Sequence, residues 1–224
     1  RLSIIDLSVR SDQPMVDPGL GLALVFNGTI YNYRELRREL SALGYDFFSE
    51  GDSETILKAW HAWGEDCVAR LHGMFAFAVW DAVKRVLFLA RDRFGIKPLY
   101  WTADGARFRF ASSTQALLEA GGVDTGIDPV ALHHLFTLHA VVPAPRTVLA
   151  GVRKLAPAHW MRVEADGRRT ERAYWRLDAT HPERQRSEGD WLAAIHDALR
   201  EAVRKRSEVA DVPVGVLLSG GLDS

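Results

Sequence analysis

The sequence predicts a layered α+β fold, on three observations. Apolar runs of strand length come in closely spaced groups, as they do in hairpins. Stretches with apolar residues at helical spacing alternate with those groups rather than with single strands, which favours this fold over a parallel doubly wound sheet. The composition, 47% hydrophobic and 25% charged over 224 residues, supplies a full core.

Residues 22–26 (LALVF) read as a strand, and Asn27-Gly28 directly after it is a strong turn signal. Tyr33, Leu36, Leu40 and Leu43 recur at helical spacing until Gly44. Asp52-Ser53-Glu54 opens a second helix, with Ile56, Leu57, Trp60 and Trp63 on one face before Gly64. Residues 73–81 and 86–92 are two strong strands joined by Ala-Val-Lys-Arg, a hairpin expected to be buried on both faces. Residues 99–101 and 108–112 are expected to continue the sheet. Residues 178–189 (DATHPERQRSEG) turn polar, as a linker does. Trp191, Leu192, Ile195, Leu199 and Val203 then define an amphipathic helix. It leads through Asp211-Val212-Pro213 into an apolar run at 214–218 that reads as a buried strand. A domain boundary is expected near residue 185, with one domain over 1–185 and the first helix and strand of another over 186–224. The chain opens on Arg1-Leu2-Ser3-Ile4-Ile5 without a Met and stops inside a glycine-rich turn, so it is read as an internal fragment.

A net charge of −1 gives no global pull toward nucleic acid or membrane, and no apolar run approaches the ~20 residues of a membrane span. A single cysteine, Cys67, excludes an internal disulfide framework and fits a reducing cytoplasm, the expected location.

The chemistry is concentrated in the last residues, VGVLLSGGLDS. A strand entering a turn of small residues brings backbone N–H groups together and can cradle phosphate. The turn lacks the Gly-Lys-Ser/Thr ending of a Walker loop, and a plain strand-to-helix turn remains the alternative. VPVGVLLSGGLDS resembles the pyrophosphate-binding loop of glutamine-dependent asparagine synthetases. RLSIIDLS, NGTIYNYRELRREL, GDSETIL, LHGMFAFAVWD and ARDRFGIKPLY resemble, in order, the N-terminal glutaminase domain of that family, a class II amidotransferase.

The resemblance implies a four-layer αββα sandwich of the N-terminal-nucleophile type, followed by the start of an α/β ATP-pyrophosphatase domain. It implies glutamine, ATP with Mg2+ and a carboxylate acceptor as partners, no nucleic acid or membrane, no resident metal, and it allows a homodimer. The glutamine-binding positions would be Arg1, Leu2, Ile4, Ile5, Asn27, Gly28, Thr29 and Asp52. Arg1 would grip the substrate carboxylate through its fork, the other reading being a solvated terminal residue. Asp52 would pair with the ammonium, or serve as an N-cap. Asn27 and Gly28 would form an oxyanion hole, a hairpin turn being compatible with that role. Leu217, Ser219, Gly220, Gly221, Leu222, Asp223 and Ser224 would bind ATP.

The family's nucleophile, an N-terminal Cys with its own α-amine as base, would precede Arg1, so these residues alone are expected to be inert as a glutaminase. Cys67, in EDCVARL, reads as a buried structural thiol. His133, His134 and His139 lie in an apolar helical pattern without further ligands and are not expected to hold a metal. Trp60 and Trp63 read as packing, and Arg91-Asp92-Arg93 as an ion-paired turn without a catalytic role. Thr29 stands where the family usually has Glu, and Ser113 where it usually has Glu after Ala-Ser. LHAVVPAPRTVLAGVRKL most resembles the N-acetylglutaminylglutamine amidotransferases, which amidate a dipeptide in osmolyte synthesis, so that acceptor is the alternative to aspartate. A glutaminase joined to a phosphoribosyltransferase or sugar isomerase would not need SGGLDS. A non-catalytic glutamine-binding module is the reading from another class, and a Cys behind the parent's initiator Met would decide against it.

Overall fold

A computed structural model describes residues 2–105, 107–180 and 186–221. The chain runs β1 (Met15–Asp17), β2 (Leu22–Ile30), α1 (Tyr33–Ala42), α2 (Asp52–Trp63), α3 (Cys67–Arg70), β3 (Gly73–Asp81), β4 (Val86–Arg91), β5 (Tyr100–Ala103), β6 (Phe108–Ala111), α4 (Thr114–Glu119), α5 (Pro129–Thr137), β7 (Arg153–Lys154), β8 (His159–Glu164), β9 (Arg169–Ala173) and α6 (Glu188–Glu208). A six-stranded sheet has the order β1-β2-β3-β4-β8-β9, and a three-stranded sheet the order β6-β5-β7. Every pairing is antiparallel.

Alternation along the strands sorts side chains into two cores. Leu22, Leu24, Phe26 and Ile30 of β2 join Phe75, Phe77 and Val79 of β3 against Leu36 and Leu40 of α1 and Ile56, Leu57 and Trp60 of α2. The opposite face carries Ala76, Ala78, Leu89, Met161 and Val163, which meet Leu99, Leu155, Trp101, Phe108 and Phe110 from the second sheet and its flanks. With α4 against β5 and β6, the layers run α, β, β, α. That is the sandwich the family resemblance implies, and it is a layered α+β fold as the sequence pattern predicts.

The β3–β4 hairpin forms in the register Ala76↔Arg91 to Asp81↔Val86, and in β3 only Trp80 is exposed. Both early helices begin and end within a residue or so of the expected places. Three expectations fail. Asn27-Gly28 is not a turn, because β3 offers a ladder partner to every residue of β2, with Asn27 opposite Ala76 and Gly28 opposite Phe75. Residues 99–101 and 108–112 do not extend the first sheet; β8 takes the edge of β4 instead, and β5 and β6 build the second sheet. Residues 214–218 form no strand, since no neighbouring strand among the described residues completes a ladder, and Val216, Leu217 and Leu218 stand exposed.

A buried ion pair braces the helical layer. Lys58 Nζ of α2 bonds Asp17 Oδ2 at the end of β1 and lies 3.8 Å from Glu54 Oε1, one helical turn away. Glu54 is fully buried and accepts from the Ser49 N–H and hydroxyl, each at 2.7 Å, and from the Phe48 N–H at 3.0 Å. Removing the ammonium leaves two buried carboxylates without their shared cation. Lys58→Ala should therefore cost about 3–5 kcal/mol in urea unfolding, whereas Lys84→Ala at the exposed end of the β3–β4 hairpin should cost under about 1 kcal/mol.

Candidate active site

The end of β2 and the start of α2 converge. Asp52 is the first residue of α2, and Gly51 is the N-cap, so the capping role weighed for Asp52 is not the one it has. Its Oδ2 instead accepts the Ile30 N–H at 2.9 Å, joining it to the strand that carries residues 27–29. Burial pushes the Asp52 carboxyl up to about 6; the N–H groups of Ile30, Asp52 and Ser53 oppose that shift, and the negative charge of Asp211 adds to it. A cation bound there would pull the proton off again.

Asn27 is half-buried on the inter-sheet face and lines a cavity of about 330 Å3 with Gln13, Ala76, Leu99, Phe110 and Ser112. Gly28 has φ +151°, and a Cβ there would strike the Met74 carbonyl oxygen and sit 2.7 Å from Phe75 Cα. Close approach of β3, not a turn, is what requires glycine. Thr29 is wholly buried and its Oγ1 has no hydrogen-bond partner, an unmet capacity that costs roughly 1–3 kcal/mol.

Ile5 is buried in the main core with Ile4 packed against it, and Leu2 is half-buried; Arg1 lies outside the described residues. Asp6, which sequence reasoning passed over, holds this loop. Its Oδ1 accepts the Ser8 N–H at 3.0 Å, and its Oδ2 accepts the Ser11 hydroxyl at 2.7 Å and the Glu50 N–H at 2.8 Å. These bonds hold its carboxyl far below the usual range against the opposing effect of burial. Gly51 completes the junction, because a Cβ there would lie 2.6 Å from Ser11 Oγ. An aspartate followed two residues later by Ser8 was the available signal, an Asx-type turn.

The expected nucleotide residues stand apart. Leu217, Ser219, Gly220 and Gly221 are exposed, with Gly220 at φ +76° and nothing within 4 Å of where its Cβ would be. The Gly221 N–H lies 3.3 Å from Ser219 Oγ. Leu222, Asp223 and Ser224 lie outside the described residues.

Cys67 is fully buried at the start of α3, and burial, with Asp66 beside it, drives its thiol far up. Trp60 stacks on Phe88 at 4.4 Å and donates to Asp81 at 3.0 Å; Trp63 lies under Arg70. Arg91-Asp92 is organised by the backbone rather than by an ion pair. The Arg91 guanidinium donates to the carbonyls of Gly95, Lys97 and Leu155, and the Asp92 carboxylate accepts the N–H groups of Phe75, Phe94, Ile96 and Lys97. His133 and His134 lie on α5, and among the described residues no group of three or more His, Cys, Asp or Glu is placed to hold a metal.

Residues 1–175 match the family described as glutamine amidotransferase domain. The chain belongs to that family. Residues 194–224 match the asparagine synthase family. The whole chain is 37% identical over 227 residues to asparagine synthetase [glutamine-hydrolyzing] 3 of Bacillus subtilis, covering 36% of that protein. It is 39% identical over 224 residues to asparagine synthetase [glutamine-hydrolyzing] 1 of the same organism, covering 34% of it. An amidase, chyE, of Penicillium rubens is 32% identical over 228 residues, with 33% of it covered. This glutamine amidotransferase chain thus spans about a third of the length of the curated relatives it matches. Its fold matches glutamine phosphoribosylpyrophosphate amidotransferase from B. subtilis with TM-score 0.51 at 18% identity, over 75% of this chain and 33% of that one. No helix among the described residues is long and apolar enough to cross a membrane.

Asp52 fixes a pH dependence. An unfolded aspartate loses its proton near 3.8, while buried Asp52 keeps it up to about 6. Between those values the folded state binds more protons, so this residue's effect on stability worsens as pH rises and is complete above about 6. Asp52→Asn keeps an acceptor for Ile30 and removes the ionisation. In urea titrations from pH 4 to 7 its stability relative to wild type should rise with pH, by up to about 3 kcal/mol.

Proposed function

We propose that this chain is the glutamine-handling part, with the beginning of the synthetase part, of an ATP-dependent amidotransferase of the asparagine synthetase type. The observation that carries the proposal is a buried carboxylate, Asp52, hydrogen-bonded to the strand that bears Asn27, Gly28 and Thr29. Residues 1–185 would form the glutaminase domain, and 186–224 the first part of the ATP-pyrophosphatase domain.

In this reading Arg1 holds the α-carboxylate of glutamine and Asp52 its ammonium, with Leu2, Ile4 and Ile5 forming the wall of the site. A cysteine upstream of Arg1 attacks the side-chain amide; Asn27 and the Gly28 N–H stabilise the oxyanion. Thr29 Oγ1, buried and unpartnered, supplies a neutral hydrogen bond where the family usually presents a carboxylate. Water then releases glutamate, so each glutamine yields one ammonia. At the second site ATP and a carboxylate give an acyl-adenylate and pyrophosphate, and ammonia displaces AMP to form the amide. Ser219, Gly220 and Gly221 would meet the pyrophosphate through backbone N–H groups, with Leu217, Leu222, Asp223 and Ser224 completing the loop. The Mg2+ that accompanies ATP neutralises phosphate charge; Asp223, the loop's carboxylate, is outside the described residues, so no ligand is assigned to it. The acceptor, aspartate or the dipeptide of the osmolyte branch, is selected by the synthetase part. A cytoplasmic location and a homodimer belong to the same proposal, as does inactivity of these residues without the upstream cysteine.

Two substitutions in the full-length protein separate the half-reactions. Asp52→Ala should lower kcat/KM for glutamine by roughly 30- to 1000-fold, the loss of a charged hydrogen bond, while ammonia-dependent amide formation persists. Equal loss of both activities would assign Asp52 to folding alone. Gly220→Val should abolish AMP and pyrophosphate release while glutamate release continues, because it forces a β-branched residue to φ +76° and crowds the phosphate path. Normal AMP production by that variant would make the loop a plain turn.

A further inference from the structure

The two parts of the chain meet at the end of α6, a helix otherwise exposed along its length. Arg206 lies 5.1 Å from the centre of the Tyr31 ring, and Val209 is buried in the first domain's core. Asp211 then makes two hydrogen bonds to the loop that precedes β1. Its N–H donates to the Ile4 carbonyl at 2.8 Å, and its Oδ2 accepts the Asp6 N–H at 2.9 Å. The two bonds flank Ile5 and fix both the position and the direction of this segment. Arg34, with Nη2 3.9 Å from Asp211 Oδ1, faces the same carboxylate.

The contacts continue inward. The Asp6 carboxylate accepts the Glu50 N–H, Gly51 is the N-cap of α2, and Asp52 follows and reaches Ile30. Outward, residues 212–218, irregular and mostly exposed, join Asp211 to the Ser219-Gly220-Gly221 turn. A displacement at Asp211 therefore moves residues 4–6 directly and Glu50 to Asp52 through Asp6. Each inward link is a bond to backbone, which leaves little slack for a side chain to absorb the movement, and outward the covalent chain itself carries it.

We propose that Asp211 is a positioning residue, which through Asp6 sets the glutamine-binding loop and the start of α2 according to the state of the nucleotide loop. It touches neither substrate. This inference rests on the function proposed above and assigns to that enzyme the contact by which hydrolysis of glutamine keeps step with use of ATP. A coupling free energy between two sites of this kind typically changes a rate or affinity by about 5- to 150-fold.

The test uses the full-length protein with Asp211→Ala and Asp211→Asn, the latter retaining an oxygen that accepts the Asp6 N–H. Glutamate and AMP are measured together with glutamine as donor, and AMP again with ammonia as donor. Asp211→Ala should raise glutamate formed per AMP by about 5-fold or more while ammonia-dependent AMP formation stays within about 2-fold of wild type, and Asp211→Asn should hold the wild-type ratio. An unchanged ratio in Asp211→Ala would overturn the proposal. So would a parallel fall of every activity in both variants, which marks a merely structural residue. Hydrogen exchange provides a readout that needs no activity: residues 4–8 and 49–53 should both lose protection in Asp211→Ala and keep it in Asp211→Asn. Protection at 49–53 unaltered by Asp211→Ala would break the inward path and overturn the proposal even with an altered ratio. A wild-type protein that forms no AMP from glutamine would sink the amidotransferase reading instead, and the exchange result would still judge the Asp211–Asp6 contact.

Discussion

A carboxylate accepting backbone N–H groups is the interaction on which this architecture rests. Asp6 ties the first loop to Glu50, Asp52 ties α2 to β2, Glu54 ties the segment at Phe48 and Ser49, and Asp92 gathers the loop after β4. Each bond fixes main chain to main chain through one short side chain. Loops that carry binding groups in a layered sheet are ordinarily its most mobile parts. Here the carboxylates convert them into extensions of the strands they follow. Amides are good donors to an anion and cannot be lost by ionisation, so the arrangement holds across the range in which carboxylates stay charged.

The price of that rigidity falls on Asp52. Among the described residues, what acts on its carboxyl is the N–H groups of Ile30, Asp52 and Ser53 and the charge of Asp211, and none of these is a cation. In the function proposed above, the ammonium of the substrate supplies the positive charge that this carboxyl lacks among the described residues. Thr29 adds a second deficit, a buried hydroxyl with unused hydrogen-bonding capacity. On the function proposed above, these two groups would meet polar atoms of the bound ligand.

Legibility in the sequence followed the range of the determining contacts. Leu36, Leu40, Ile56 and Leu57 announce their helices because the periodicity is local, and the β3–β4 hairpin is plain from two apolar runs and a short polar joint. Strand order was not legible. The edge of β4 could have taken residues 99–101, yet it takes β8, some sixty residues further on, a choice made by packing between sheets and not by either segment's own pattern. Asn27-Gly28 misled for the same reason: its dipeptide preference is real but weaker than nine ladder positions against β3. In the candidate site, the family resemblance pointed to Asn27, Gly28, Thr29 and Asp52; Asp6 left only a local Asx-type signal for its bonds to Ser8, Ser11 and Glu50, and Asp211 left none, because its bond to the Asp6 N–H spans 205 positions of sequence.

The burial of Cys67 makes the single thiol a clock. Wholly enclosed and held as the neutral thiol, it meets an alkylating reagent only when α3 and the β2–β3 core beneath it part. Its labelling rate then measures how often the centre of the sandwich opens, without any probe being added. On the function proposed above, the same rate followed at rising glutamine concentration would report the free energy that the ligand contributes to closure, from inside the protein.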